Sequence, residues 1–464
     1  MSTTPAPGGD DGSGSRSAHL VALVRSLFSF DVGEQGLVLV HLGKWIGLGA
    51  VVGALAGVSS AAFLVTLNWA TRTRLAHGWL IALLPLAGLA IGALYHYGGG
   101  RSAGGNNLII DEIHDPADWI PRRMAPLVYL GSVATVLFGG STGREGTALQ
   151  MAGSLTDGFS RVVRLGAADR RVMLIAALAG GFGAMFGVPV AGMIFALEVQ
   201  SIGRLRYDAL VPAAAAALVG DLVVRGLGVH HEVPALVGPV DLSATLVAKV
   251  ALAGLAFGLT AYAFSELTHG IRRVMAATVG WPPLRPFIGG FVVIAFTLIV
   301  GNQAYNGLSL GLAAEALAGG AGIISVAFAI KLVFTAVTLG SGFQGGEVTP
   351  LFVMGATLGV TLGRLLGVPV ELMAAIGFVA VFAGAANVPL ACTVMGAELF
   401  GADAIVLFAV ACIVSYTCSP HEGIYHSQRI GVTKRGEVRA ATPEPDPPEA
   451  PDAPDAPDAP NEVG

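Results

Sequence analysis

Apolar residues fill the chain in long runs: Trp45 to Ala70, Trp79 to Tyr97, Ala125 to Phe138, Ala209 to Val219, Leu246 to Phe264, Phe287 to Val300, Ile323 to Leu339 and Ile405 to Val414. A helix needs about 20 consecutive apolar residues to cross a bilayer, and several of these runs are shorter. The pattern predicts an all-α polytopic membrane protein in which full spans are mixed with tilted and half-length helices. Leu20 to Phe30 carries apolar residues at helical spacing with Arg25 on the other face, the pattern of a short helix at the membrane surface.

Polar, glycine-rich breaks interrupt the apolar sequence twice in the same form. Gly143-Arg144-Glu145-Gly146-Thr147 is followed by Val188-Pro189-Val190-Ala191 and Glu198. Gly345-Gly346-Glu347-Val348-Thr349-Pro350 is followed by Val388-Pro389-Leu390-Ala391 and Glu398. The first glutamates are offset by 202 residues, and the Val-Pro steps and second glutamates by 200. Two like halves, about 37–228 and 243–430, are expected to pack around a shared pathway. They lie within a transmembrane domain of residues 20–432, flanked by tails 1–19 and 433–464. The second tail breaks into Pro-Asp-Ala repeats and has almost no large apolar residue, a composition expected to stay disordered.

The chain is 54% hydrophobic and 12% charged, with a mean hydropathy of +0.71, a balance that excludes an ordinary soluble fold. Its 65 glycines lie within apolar runs as well as between them, where small residues let membrane helices approach closely. The net charge of -5 comes largely from the acidic tail, and there is no nucleic-acid footprint. Met1 to Ser17 has no basic stretch leading into an apolar one, which argues against a cleaved signal peptide. Arg161, Arg164, Arg170 and Arg171 lie between two apolar runs, so the positive-inside rule puts that loop, and with it both tails, in the cytoplasm. Arg72 and Arg74 would then fall outside, against the rule. Cys392, Cys412 and Cys418 have neither disulfide-framework nor zinc spacing and read as packing residues. His421 and His426 stand five apart, not the four of a helical zinc pair, so no metal, cofactor or enzymatic chemistry is expected.

The breaks carry the candidate chemistry. Glycines ahead of a helix let consecutive backbone N–H groups turn toward one point, and the free N–H groups of a helix start form an anion site. Irregular backbone at membrane depth is tolerated only where it is buried in protein or lines a watery cavity. Two such breaks, each with an acid, point to an anion pathway more than to helix kinks. Glu145, beside these donors, can occupy the site as a tethered anion and leave when protonated, which makes a proton-linked gate. Pro350, Pro189 and Pro389 suit first helical turns. Glu198 and Glu398 are placed to accept from backbone donors of a neighbouring loop, while snorkelling or pairing accounts for Lys331, Arg364, Asp221 and Arg225.

The stretch from Lys331 through Thr335, Thr338 and Gly340-Ser341-Gly342 to Pro350, with Gly143-Arg144-Glu145-Gly146 and Val188-Pro189-Val190-Ala191-Gly192, resembles the CLC family of chloride channels and chloride/proton antiporters. The likeness covers about Leu37 to Ile430. It implies two inverted-topology repeats with broken helices meeting at a central anion site, and a homodimer in the lipid bilayer with one pathway per subunit. Several positions depart from the chloride-selective pattern. Thr147 replaces a proline, Gly104-Gly105-Asn106-Asn107 a serine-bearing Gly-Ser-Gly-x-Pro loop, Val348-Thr349 an aromatic-alanine step, and Glu347 an apolar residue. Val199 stands where many antiporters carry an inner proton-transfer glutamate.

The combination looks like the fluoride/proton antiporter branch. That likeness implies a proton-coupled fluoride exporter whose transported ions are fluoride and the proton. Glu145 and Glu347 would be its gating and proton-coupling acids, with Asn106, Gly143, Arg144, Gly146, Thr147, Gly346, Val348, Thr349 and Tyr425 around the anion. A chloride/proton antiporter or passive chloride channel on the same fold is the alternative. Fluoride is small and strongly hydrated, so its pathway needs close, strong donors, which Asn106, Thr349, Tyr425 and backbone N–H groups could supply.

Overall fold

The computed structural model describes residues 32–231 and 238–434. The surface helix expected over Leu20 to Phe30, the tail 1–19 and nearly all of the tail 433–464 lie outside them. The first half holds helices α1 (Val32–Ala76), α2 (Leu84–Gly98), α3 (Gly105–His114), α4 (Met124–Leu137), α5 (Glu145–Val162), α6 (Ala167–Phe186), α7 (Pro189–Glu198) and α8 (Leu210–Gly226). The second holds α9 (Ala244–Thr278), α10 (Leu284–Val300), α11 (Leu310–Leu317), α12 (Ala327–Gly340), α13 (Val348–Leu366), α14 (Val370–Ala386), α15 (Pro389–Phe400) and α16 (Ile405–Cys418). Among the described residues five helical stretches are long and apolar enough to cross a membrane, and several others run only 10–17 residues. This is the expected mixture of spans and half-spans, and the protein is a multi-pass membrane protein.

Corresponding helices begin and end by the same chemistry. Gly187 and Asn387 take left-handed conformations (φ 71° and 59°) that stop α6 and α14, and Pro189 and Pro389 open α7 and α15 two residues later. Close approach is built from small residues. A Cβ added to Gly49, Gly53 or Gly57 of α1 would lie 2.5–2.7 Å from the carbonyl oxygens of Pro212, Ala216 and Gly220 on α8, so that stripe admits only glycine.

Two opposite faces can be traced through contacts. One gathers the loop after α5, the end of α3, the pair β1 (Ser201–Ile202) and β2 (Arg429–Ile430), and the end of α9, where His269 lies 4.1 Å from His426. There the buried Arg170 bridges Asp157 (2.6 Å) and Glu112 (3.1 Å) under Trp119, and Arg101 pairs with Glu112 and Asp118. The other face gathers the end of α1, where Arg74 donates to Gln303 (3.1 Å), and the end of α13, where Arg364 donates to the Ile323 carbonyl (2.9 Å). Lys331 neither snorkels nor pairs with an acid. It is wholly buried, and its ammonium donates to the hydroxyls of Ser141 (2.9 Å) and Ser309 (2.8 Å) and the carbonyls of Gly307 (2.9 Å) and Tyr305 (3.2 Å). Arg364, by contrast, is exposed at the end of α13 and donates to loop carbonyls, and Asp221 and Arg225 pair at 2.9 Å. Cys392 and Cys412 are core residues, but Cys418, at the end of α16, is exposed.

Candidate functional site

Helices α5 and α13 start at one point and leave it in opposite directions. The residues just ahead of them form an antiparallel bridge, with Gly143 N–H donating to Gly346 O (2.7 Å) and Gly346 N–H to Gly143 O (3.0 Å). From there α5 runs to the arginine-rich face and α13 to the opposite one. A helix leaves its first N–H groups without intrahelical carbonyls, so two partly positive ends meet in the interior. Gly346 is needed at the meeting point. A Cβ there would lie 2.9 Å from the backbone nitrogens of Glu145 and Gly146 and 3.0 Å from that of Arg144, filling the cradle those groups form.

The Glu145 carboxylate occupies the junction. It is wholly buried, and its Oε2 accepts from the Thr349 N–H (2.9 Å) and the Arg144 N–H (3.1 Å). Its Oε1 accepts from the Thr349 hydroxyl and lies 3.6 Å from the Arg144 guanidinium nitrogen Nε. The carboxyl of one half is thus held by donors at the helix start of the other. Hydrogen bonds to a charged group are worth about 1.5–3 kcal/mol each, so this set holds the side chain firmly while it remains ionised.

A cavity lies on each side of this junction. One, of about 330 Å³, is lined by Arg144, Phe186, His231, Leu310, Thr349 and Phe352. Burial, and then the charge of Arg144, pushes His231, in the loop after α8, down to about 4, so it is neutral near neutral pH. The other cavity, of about 390 Å³, is lined among others by Asn106, Gly146, Gln150, Arg272, Arg285, Glu347 and Tyr425. Arg144 and Thr349 touch the first cavity and Gly146 and Glu347 the second, with Glu145 between them.

The wall carrying Tyr425 is fastened by main-chain contacts. Ile424 N–H donates to Ala385 O (2.9 Å), β2 pairs parallel to β1, and the Gln428 amide donates to the carbonyls of Val199 (2.7 Å) and Ala386 (2.8 Å). Val199 therefore contributes a carbonyl to the support of this wall and has no acid to offer.

The model describing voltage gated chloride channels matches residues 87–420. The chain belongs to the voltage-gated chloride channel family. It is 47% identical over 412 residues to a chloride/fluoride channel protein of Pseudomonas syringae pv. tomato, covering 86% of this chain and 90% of that one. The crystal structure of a CLC-type fluoride/proton antiporter superposes with a TM-score of 0.81 at 34% identity, over 84% of this chain and 98% of the other. A slow cyanobacterial Cl-/H+ antiporter shares the fold with a TM-score of 0.69 at 17% identity, over 81% and 94% of the two chains. The fold is thus that of CLC transporters.

Within this CLC fold, the structure brings Asn106, Gly146, Glu347 and Tyr425 to one cavity and Arg144 and Thr349 to the other, around Glu145. It places four expected anion-binding residues otherwise. The N–H groups of Gly143 and Gly346 are spent on each other. Thr147 turns its hydroxyl onto Ser132 of α4 (2.5 Å), and neither it nor the buried Val348 lines either cavity. His421 accepts the Lys434 N–H on its Nε2 (3.1 Å). Gln150, Arg272 and Arg285 were missed. Gln150 follows Gly146 by four residues, the spacing that puts both on one helix face, and that signal was available in the sequence.

Proposed function

We propose that this chain is a proton-coupled fluoride exporter that lowers cytoplasmic fluoride. The observation that carries the reading is the Glu145 carboxyl group held by backbone N–H donors at the meeting of two helix starts, with a cavity on each side. An ionised Glu145 blocks the path and competes with a free anion for the same donors. A protonated one loses its grip on them and admits the anion, so the two ions must alternate. The fluoride assignment is supported by the antiporter and channel relatives that carry fluoride in their names, and by the acid Glu347 beside Tyr425 and Asn106. Exchange of one fluoride outward for one proton inward moves two charges favourably, roughly 4.6 kcal/mol at 100 mV inside-negative.

The basic residues support an orientation. Arg161, Arg164, Arg171, Arg204, Arg272, Arg273 and Arg429 gather at the face reached by the ends of α5 and α9, whereas Arg72, Lys249 and Arg364 lie toward the other. By the positive-inside rule the Asn106–Tyr425 cavity faces the cytoplasm and both tails lie there. A homodimer in the bilayer, the assembly of the family, fits the apolar face formed by α7, α8, α15 and α16, where Val190, Leu222, Leu390 and Ile413 are exposed.

Purified protein in liposomes tests the central reading. An outward fluoride gradient should drive proton uptake, and Glu145→Gln, which cannot cycle a proton, should abolish that coupling. Fluoride flux without proton movement in the wild type would favour a passive channel, the activity named for the Pseudomonas relative. Chloride flux equal to fluoride flux would reject the selectivity.

A further inference from the structure

The arginine-rich cavity holds two amides whose hydrogen-bonding capacity is unspent. Gln150 is 6% exposed, its Oε1 is buried without a partner, and its amide makes no hydrogen bond to the described protein. Asn106 has the same deficit at Oδ1. Its neighbour Asn107 differs, accepting the Ser427 N–H at 3.2 Å. Buried polar groups are almost always hydrogen-bonded, so two unpartnered amides on one cavity wall are prepared for something that enters the cavity.

Geometry places both beside the gate. The Asn106 Nδ2 comes within 3.0 Å of where a Cβ on Gly146 would stand, and the Gln150 Nε2 within 3.5 Å of the corresponding point on Gly105, the first residue of α3. The first approach leaves little room for a Cβ on Gly146, and Gly105 is glycine for its left-handed backbone (φ 59°). The two amides therefore share the wall formed by the start of α3 and the first two turns of α5, next to Glu145. Arg272 and Arg285 line the same cavity and bias it toward anions. An amide offers two N–H donors without a charge, so it can replace water around an anion without holding the ion as tightly as a guanidinium would.

We propose that Gln150, together with Asn106, forms the site where a small, strongly hydrated anion exchanges its water for amide N–H donors before reaching Glu145, making Gln150 a further specificity-determining residue. The proposal rests on the fluoride reading. A larger, weakly hydrated halide gains less from the exchange, because it gives up its water more easily. Gln150 should therefore act on the discrimination between the two ions more than on the rate common to both.

The test uses the full chain in liposomes, with fluoride and chloride electrodes reading the same sample and proton uptake followed in parallel. Gln150→Leu and Gln150→Met, which keep the bulk and remove the donors, are expected to raise the fluoride KM by about tenfold. Chloride flux should change much less, so the fluoride-to-chloride ratio falls. Gln150→Glu, nearly identical in shape but without N–H donors when ionised, should lower the ratio further. An unchanged ratio and fluoride KM in these variants would overturn the proposal, and so would an equal loss of both fluxes, the mark of a purely structural role. If the wild type itself moves no fluoride, the functional reading has failed, whatever the Gln150 variants do.

Discussion

The first two turns of α5 send their side chains to three different fates. Glu145 reaches across to Thr349, Thr147 turns back onto Ser132, and Gln150 faces the arginine-rich cavity. Two positions on, a helix has turned by about 200°, so neighbours in sequence need not share a site. Thr147→Val should strand the buried Ser132 hydroxyl and cost roughly 1–3 kcal/mol of stability, while the fluoride KM stays at the wild-type value. Thermal unfolding in detergent and liposome flux on the same preparation separate the two effects. A raised KM would return Thr147 to the anion pathway. Lys331 shows the same dependence on surroundings. Its apolar context in the sequence suggested snorkelling, but four oxygens drawn from distant positions solvate it inside the protein.

Among the helices, α7 and α15 illustrate how the halves are joined. Glu398 accepts the N–H groups of Val190 (3.0 Å) and Ala191 (2.8 Å) at the start of α7, and Glu198 accepts those of Leu390 (3.1 Å) and Ala391 (2.9 Å) at the start of α15. Each carboxylate therefore satisfies donors that the partner helix cannot satisfy itself. The two exchanges are not equal in energy. Glu198 is buried and Glu398 exposed, so water can replace the second acceptor more easily than the first. Glu198→Ala is expected to lower stability by roughly 2–5 kcal/mol and Glu398→Ala by about 0.5–2 kcal/mol, read from melting temperatures in the same detergent. An equal loss at both positions would contradict that order.

Across the whole molecule, the inverted relation between α5 and α13 and the separation of basic residues make the orientation testable. His77, after α1, and Arg273, near the end of α9, are both exposed and lie on opposite faces. With Cys418 replaced by serine, an impermeant thiol reagent added outside intact cells should label His77→Cys and spare Arg273→Cys. The reverse pattern would invert the proposed topology.

The repeat, the mixture of long and short helices, the proline starts and the acceptor role of Glu198 and Glu398 were legible in the sequence, because each depends on local chemistry or on the comparison of two stretches. The Gly143–Gly346 bridge, the Thr147–Ser132 bond and the cage around Lys331 were not, because each joins residues whose meeting is decided by tertiary packing. The expectation that both glycine breaks offer free N–H groups failed at Gly143 and Gly346 for that reason.

The crossed carboxylates of α7 and α15 also bear on how such a chain could arise and assemble. Neither half can close its own helix start, so synthesis of the first half leaves Val190 and Ala191 waiting until Glu398 is inserted some 200 residues later. A half-length ancestor bearing one such helix would meet the same need by associating with an inverted second copy, each supplying the other's acceptor. Gene fusion would then convert an encounter between two molecules into a contact within one, removing its dependence on concentration.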